Sequence, residues 1–160
     1  MKILVTGNAG SGKSTLAKKI ADAQGLPCYG LDRIVWKPKW EKSSDEEIHK
    51  EISKLISQDE WVIDGVSVQV MEAADVIIFL DVPRQVSFWR ATKRNYKHLF
   101  KSRPGLPENC PEILIIPKLT KIIWRFPKRM RPKILAEKER RGTGFIHVRS
   151  TNDLPTHLLQ

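Results

Sequence analysis

The chain has 160 residues, a formal net charge of +10 and a hydrophobic fraction of 41%. This length predicts a single folded domain over residues 1–160, and the ordinary composition excludes a disordered protein. No apolar run approaches the length of a membrane span, and the first residues lack the pattern of a signal peptide. The two cysteines, Cys28 and Cys110, lack the spacing of a zinc or redox site, so we expect reduced thiols and a cytoplasmic protein.

The positive charge is concentrated in the second half of the chain. Residues 1–83 contain 10 Lys and Arg against 13 Asp and Glu, whereas residues 84–149 contain 18 against 4. Such a bias favours a polyanionic partner. Two candidates follow: the phosphates of a nucleotide and its phosphorylated substrate, or a nucleic acid such as DNA bound through residues 84–149.

The first element of the chain predicts a phosphate site. An apolar run at residues 3–5, which we interpret as a buried strand, leads into the stretch Gly7-Asn8-Ala9-Gly10-Ser11-Gly12-Lys13-Ser14-Thr15. This stretch fits the P-loop pattern G-x-x-x-x-G-K-[ST]. Apolar residues at helical spacing follow it and end before Gly25, a typical helix C-cap.

Each part of this loop has a predicted task toward ATP. Backbone N–H groups of residues 9–15 would cradle the phosphates at the start of the helix. Lys13 would place a mobile charge between the phosphates, and the Ser14 hydroxyl would ligate Mg²⁺. The sequence therefore predicts ATP and Mg²⁺ as cofactors.

Residues 27–31 predict a second short strand that ends at Asp32. In an open parallel sheet, residues just past the carboxyl ends of the strands face the ligand crevice. Asp32 is therefore a candidate acceptor anchor, catalytic base or magnesium partner, although an aspartate here could also simply cap a turn.

We expect an acceptor-side insertion over about residues 32–60. It contains Trp36 and Trp40, which could form a wall of the acceptor pocket or could clasp an irregular loop. The clasp is slightly favoured, because aromatic side chains pack more often than they bind ligands. Ser44 and Glu47 form a capping box at the start of the next helix.

Residues 61–65 predict the third strand, which ends in Asp64 and Gly65. A carboxylate at the end of an apolar strand holds the magnesium shell in P-loop enzymes, so Asp64 is a predicted catalytic and metal residue. The segment resembles the strand-Asp-Gly turn of adenylate kinase and its relatives. There an arginine that grips an acceptor phosphate usually follows, whereas Val66 and Ser67 stand here. This difference weakens the case for a nucleoside monophosphate as acceptor.

Residues 75–81 predict the fourth strand, and we expect its last residue, Asp81, to be structural. A basic helix over residues 84–101 follows. We expect apolar residues to mark its packed side: Val86, Trp89, Tyr96 and Leu99. Basic residues share another face: Arg90, Arg94, Lys97 and Lys101.

The spacing of Arg90 and Arg94 resembles that of adenylate kinase at the start of its lid. The resemblance implies that Arg90 stacks on the adenine and that Arg94 contacts the transferring phosphates. Arginine suits both tasks, since its planar guanidinium binds phosphate through two bonds at once. The alternative is a solvated basic face, and a P-loop in the same chain favours the site, more strongly for Arg94 than for Arg90.

The basic lid-like region extends over about residues 90–132. Residues 102–111, rich in proline, predict a short lid or loop. A helix over residues 113–126, broken or kinked at Pro117, precedes a basic turn at residues 127–132 and another helix that ends near Gly142. Further predicted phosphate or nucleotide contacts are Arg125, Arg129, Arg131 and, after a fifth strand at residues 145–148, Arg149.

The alternation of strands and helices predicts an α/β fold, a three-layer α/β/α P-loop NTPase domain with a parallel sheet of five strands. Resemblance to nucleoside monophosphate kinases implies the strand order 2-3-1-4-5. Several motifs are similar to those of adenylate-kinase-like proteins named "DNA topology modulation protein": Leu31-Asp32, Trp36-Lys37-Pro38, Phe79-Leu80-Asp81-Val82-Pro83 and Trp124-Arg125-Phe126-Pro127.

Two functions are compatible with these patterns. The first is a phosphotransferase that moves the γ-phosphate of ATP to a small-molecule or nucleotide acceptor between Asp32 and Asp64. The second is an ATP-gated DNA-binding protein that modulates DNA topology. Basic side chains that converge on the P-loop would indicate the first, and side chains that spread over an outward face would indicate the second. The sequence lacks a recognised DNA-reading motif, which favours the kinase.

Overall fold

The computed structural model describes residues 1–97, 99–100, 108–155 and 158. The side chain of Lys97, the whole of Lys101 and most of the predicted loop at residues 102–111 lie outside the described part of the chain. Among the described residues, no helix combines the length and the apolar character that a membrane span needs.

The strands are β1 (Lys2–Gly7), β2 (Cys28–Gly30), β3 (Trp36–Lys37), β4 (Glu41–Lys42), β5 (Trp61–Asp64), β6 (Val76–Leu80) and β7 (Phe145–Val148). The helices are α1 (Lys13–Gln24), α2 (Asp32–Val35), α3 (Asp45–Ile56), α4 (Val68–Ala73), α5 (Arg84–Lys97), α6 (Ile116–Arg129) and α7 (Arg131–Arg141).

Five parallel strands form the central sheet in the order β2-β5-β1-β6-β7. These are the five predicted strands, so the α/β fold and the order 2-3-1-4-5 are confirmed. The short strands β3 and β4 pair antiparallel within the predicted acceptor-side insertion. The parallel strands are nearly continuous apolar runs because helices cover both faces of the sheet.

Apolar side chains pack on each face of the sheet. One core cluster joins the sheet to α1 through residues such as Leu16 and Ile20, together with Leu154 and Leu158 from the end of the chain. The other cluster joins the opposite face to α3, α4, α6 and α7. The two clusters give the three layers that the sequence predicts.

Local capping signals also have the expected geometry. Gly25 ends α1 in the left-handed region at φ 65°, and its neighbour Leu26 donates its N–H to the Ala21 carbonyl at 2.9 Å. At the start of α3, the Ser44 hydroxyl accepts from the Glu47 N–H while the Glu47 carboxylate accepts from the Ser44 N–H. Both helix ends are therefore set by residues that the sequence identifies.

The predicted packed face of α5 is wrong for Val86, Trp89 and Tyr96, whereas Leu99 lies after the end of the helix and is partly buried. Trp89 and Tyr96 are 70% and 78% exposed, and Val86 is exposed as well. The buried face consists of small or polar residues four positions apart: Ser87, Ala91 and Asn95. The reason lies in the P-loop, because α5 presses directly on Gly10.

Gly10 has φ +81°, and a Cβ atom at this position would lie 2.2 Å from the Ser87 carbonyl oxygen and 3.1 Å from the Ala91 Cβ. Only a glycine in the loop and small side chains on the helix allow this approach. The large apolar residues of α5 therefore face outward.

The predicted basic turn at residues 127–132 is also wrong in part. Helix α6 continues through Pro127 to Arg129, and Met130 alone separates it from α7. Pro117 lies in the first turn of α6, where a missing N–H costs little, so it marks the start of the helix after a short 3-10 turn at Glu112–Leu114. Helix α7 ends before Gly142 as predicted.

Substitutions on the two sides of α5 test this packing. Ala91→Leu should lower the free energy of unfolding by about 1–3 kcal/mol, because the larger side chain is forced against the P-loop. The control Trp89→Ala should change it by no more than about 0.5 kcal/mol, since that side chain lies mostly in solvent. Urea unfolding of both variants measures the difference, and a greater loss for Trp89→Ala would contradict the assignment of the buried face.

Candidate functional site

The P-loop at residues 7–15 has the backbone that a phosphate cradle needs. Gly10 and Gly12 lie in the left-handed region, with φ values of 81° and 100°. Gly12 is the N-cap of α1 and contributes no side chain to the first N–H groups of the helix. These N–H groups and the positive end of the helix dipole therefore face the crevice, a geometry that suits phosphate oxygens.

Lys13 of the P-loop and Asp64 at the end of β5 form an ion pair. The Lys13 Nζ atom lies 3.8 Å from Asp64 Oδ1, and the two side chains are only 15% and 13% exposed. Asp64 Oδ1 is buried and accepts no hydrogen bond from the described residues. A buried carboxylate oxygen in this position can accept from a water of a magnesium shell, so the arrangement fits the metal that the sequence predicts.

The sheet register brings Asp32 to the same edge. Asp64 pairs with Val5 on one side and with Gly30 on the other, and the Leu31 N–H donates to the Asp64 carbonyl at 2.9 Å. Asp32 then begins the short helix α2. Two carboxylates therefore follow neighbouring strands at the edge of the sheet where the P-loop lies.

Lys13 and Asp32 line a cavity of about 190 Å³. Its polar side contains residues of the P-loop and four charged side chains, which are Lys13, Asp32, Arg94 and Glu112. Its other side, here called the apolar wall, consists of Val35, Trp36, Trp40, Ile115, Leu119, Ile122 and Phe126. The P-loop thus faces a space with the dimensions of a small molecule, and Ser14 lines it beside Lys13.

The two tryptophans of the apolar wall, Trp36 and Trp40, hold distant segments together and also line the cavity. Their rings meet edge to face, with centroids 5.6 Å apart, and they line the cavity. Trp40 also donates its indole N–H to the Pro111 carbonyl at 2.8 Å, and Lys118 Nζ lies 4.2 Å from the centre of the Trp36 ring. The pair clasps two distant segments and at the same time presents aromatic surface to the cavity.

Backbone strain is concentrated where these segments meet. Lys39, Trp40 and Asn109 are the non-glycine residues with positive φ among those described, at 63°, 60° and 58°. The Lys39 N–H donates to the Asn109 carbonyl at 3.0 Å. Such residues cost of order 1–3 kcal/mol each and are typical of ligand clamps.

Glu112 is a cavity residue that the sequence analysis missed. It is 1% exposed, yet it lines the cavity with a carboxylate. The sequence did contain a signal for its burial, since Glu112 is a single charged residue directly before the apolar run at residues 113–116. A charged side chain next to such a run is rarely buried fully unless it is paired.

The structure divides the predicted arginine contacts into three groups. Arg94 lines the cavity, and Arg90 donates to the Ser11 carbonyl of the P-loop at 3.1 Å. Arg131 is instead bound by Asp81. The remaining predicted contacts are exposed and do not line the cavity: Arg125, Arg129 and Arg149.

Asp81 holds Arg131 through three hydrogen bonds of 2.8–3.1 Å, and His147 Nε2 lies 3.0 Å from the same carboxylate. Burial opposes the charged form of Asp81, but the hydrogen bonds from Arg131 and His147 outweigh it and hold the pKa of this carboxyl below its ordinary value. Asp81 thus joins β6 to β7 and α7. The bonds from Arg131 use Nε and Nη2 of its guanidinium group.

Asp81→Asn should lower the free energy of unfolding at pH 7 by about 1–2 kcal/mol, because the charged hydrogen bonds to Arg131 are lost. A depressed pKa contributes stability above the unfolded value of about 3.9, and this stability disappears as the pH falls through the folded value. The difference between variant and wild type should therefore shrink below about pH 4. Melting temperatures at about pH 7 and pH 3 test this, with Asp22→Asn as an exposed control; a constant difference would contradict it.

Metal ligands are sparse at the site. Across the described part of the chain, no group of three or more His, Cys, Asp or Glu side chains could hold a metal ion on its own. This is compatible with Mg²⁺, which keeps several waters and binds through one or two protein oxygens together with substrate phosphates.

Searches against known proteins give fold-level likeness. A shikimate kinase from Acinetobacter baumannii in complex with shikimate is 19% identical, over 78% of this chain and 75% of that chain, with a TM-score of 0.46. A gluconokinase from Sinorhizobium meliloti 1021 is 18% identical over 82% and 96%, with a TM-score of 0.45. A shikimate kinase from Aquifex aeolicus vf5 is 17% identical over 84% and 99%, with a TM-score of 0.46. Similarity at this level identifies neither an activity nor a substrate for this chain.

No family model matches the chain, and no curated protein sequence matches it. The resemblance to proteins named "DNA topology modulation protein" is therefore not confirmed.

Proposed function

We propose that the chain is an ATP-dependent phosphotransferase that moves the γ-phosphate of ATP to a small acceptor in the cavity. The observation that carries this proposal is the position of Lys13, which is paired with Asp64 and lines, together with P-loop residues, a cavity that also has an apolar wall. A site that only bound nucleotide would not need a second, largely apolar compartment in front of the phosphates.

Each side chain has a task in this proposal. Lys13 and the N–H groups of residues 9–15 would bind the β- and γ-phosphates, and Ser14 and Asp64 would hold Mg²⁺ with its water shell. The metal, when bound, neutralises phosphate charge. Asp32 orients the acceptor hydroxyl and takes its proton as the new P–O bond forms, while the bond from the γ-phosphorus to the β–γ bridging oxygen breaks and ADP leaves. Arg94 stabilises the charge on the transferring group, and catalysis rests mainly on positioning and electrostatics.

The lining of the cavity favours a particular class of acceptor. The apolar wall presents two indole rings, and Val66 lines the cavity close to where an arginine would be needed for an acceptor phosphate. We therefore favour an unphosphorylated molecule that combines a reactive hydroxyl with an apolar or aromatic ring. ATP consumption screened against nucleosides, nucleotides and small hydroxylated metabolites tests this, and a nucleoside monophosphate as the best acceptor would overturn it.

The alternative of an ATP-gated DNA-binding protein gains no specific support from the described residues. Arg90 and Arg94 lie at the P-loop and the cavity, and Arg131 is engaged by Asp81.

Lys13→Ala should reduce acceptor-dependent ATP consumption by roughly 100-fold or more, because a donor to the transferring phosphate is removed. Lys19→Ala, an exposed lysine on the same helix, is the matched control and should keep full activity. Circular dichroism of both variants should match the wild type. Retained turnover in Lys13→Ala would exclude the P-loop mechanism.

Asp64→Asn should raise the magnesium concentration needed for half-maximal activity by about tenfold or more, since an amide is a weaker partner for the metal shell. Asp59→Asn changes an exposed aspartate just before the same strand and should leave the magnesium titration unchanged. Superimposable magnesium curves for Asp64→Asn and wild type would remove the metal role of Asp64.

A further inference from the structure

Pro127 leaves a carbonyl group of α6 without its helical donor. In an α-helix the N–H of residue 127 would bond to the carbonyl of residue 123, and proline has no N–H. Helix α6 nevertheless continues past Pro127 to Arg129. Ile123 is 1% exposed, so its carbonyl needs a partner from within the protein.

That partner is Asn8 of the P-loop. Asn8 Nδ2 donates to the Ile123 carbonyl at 3.1 Å, across 115 residues of sequence. Asn8 Oδ1 accepts from the Ala9 N–H at 2.8 Å, and the residue is 2% exposed. A carbonyl only accepts, so the amide must point its NH₂ group at α6 and its oxygen at the loop. The nitrogen and the oxygen of the Asn8 amide therefore each have a hydrogen-bond partner within the protein.

The bond joins the two sides of the cavity. Ala9 and Gly10 line it next to Asn8, while Ile122 and Phe126 line it on either side of Ile123. A displacement of α6 relative to the P-loop would change the distance between bound phosphates and the apolar wall. Phosphoryl transfer is sensitive to errors of about 1 Å in such positions.

We propose that Asn8 is a positioning residue that ties the P-loop to α6 through the carbonyl left open by Pro127. Its catalytic consequence rests on the proposed function, whereas the tie itself does not. Pro127 makes the tie selective, because it removes the helical competitor for this carbonyl. Nucleotide binding to the P-loop is then transmitted to the apolar wall.

A double-mutant cycle tests the tie. Asn8→Ala should lower the melting temperature by about 3–8 °C, because the Ile123 carbonyl is left buried and unpaired. In a Pro127→Ala background the N–H of residue 127 can satisfy this carbonyl, so the same Asn8→Ala change should lower the melting temperature by less than half as much. Pro117→Ala is the matched control, since it restores an N–H elsewhere in α6 and should not reduce the effect of Asn8→Ala.

An equal loss in the wild-type and Pro127→Ala backgrounds would overturn the tie. If Asn8→Ala does not fold in either background, Asn8→Ser replaces it in the cycle. That variant keeps a polar oxygen next to the Ala9 N–H, but its side chain is one branch shorter and lacks the amide donor to the Ile123 carbonyl.

Hydrogen exchange distinguishes a role of Asn8 in positioning α6 relative to the P-loop from a role in stabilising the fold alone. Binding of a non-hydrolysable ATP analogue should slow exchange in a peptide over residues 116–129 of the wild type severalfold, and this protection should be lost in Asn8→Ala although the analogue still binds. Protection that persists in Asn8→Ala, or that is absent from the wild type with the analogue bound, would overturn the positioning role. If the wild type binds no analogue, the proposed function fails, while the melting-temperature cycle still decides whether the tie exists.

Discussion

The missing side chain at Gly10 is the constraint on which the site depends. It allows the backbone of α5 to approach the P-loop so closely that a methyl group would meet the Ser87 carbonyl at 2.2 Å. This approach sets the rotation of α5 about its axis and makes Ala91 an inward residue. The same rotation directs Arg90 to the Ser11 carbonyl and Arg94 into the cavity. One glycine thus connects the loop geometry to the placement of both arginines.

The charged pair beside the P-loop, Lys13 and Asp64, is held only weakly. Lys13 and Asp64 lie 3.8 Å apart, beyond the range of a good hydrogen bond, in a largely buried place. Such a pair contributes little net stability, because desolvation offsets its attraction. Phosphate oxygens could give Lys13 a closer partner, and a hydrated metal could give Asp64 one. In the proposed function, the Lys13–Asp64 pair would therefore gain most of its electrostatic stabilisation when nucleotide and metal bind.

The sequence predicts the fold well because its signals are local. Apolar runs mark the five parallel strands, Gly25 and the Ser44–Glu47 box mark helix ends, and the P-loop follows a recognised spacing. It predicts contacts between distant elements poorly. The spacing of apolar residues in α5 predicted that Trp89 faces the core. A pattern within one helix contains no information about Gly10, which admits only small residues of α5 next to it. The sequence also contained no indication that Asn8 has a structural role, because its partner is a backbone carbonyl on the distant helix α6.

Helix α6 is where the separate parts of the site meet. Leu119 and Ile122 belong to the apolar wall, and Phe126 belongs both to that wall and to the core beneath the sheet. Lys118 lies over the Trp36 ring, and the Ile123 carbonyl holds Asn8. A rigid helix with fixed contacts to the core, the P-loop and the tryptophans cannot move toward one of them without disturbing the others. Its position therefore sets the width of the cavity and, in the proposed function, the size of the acceptor that the cavity admits.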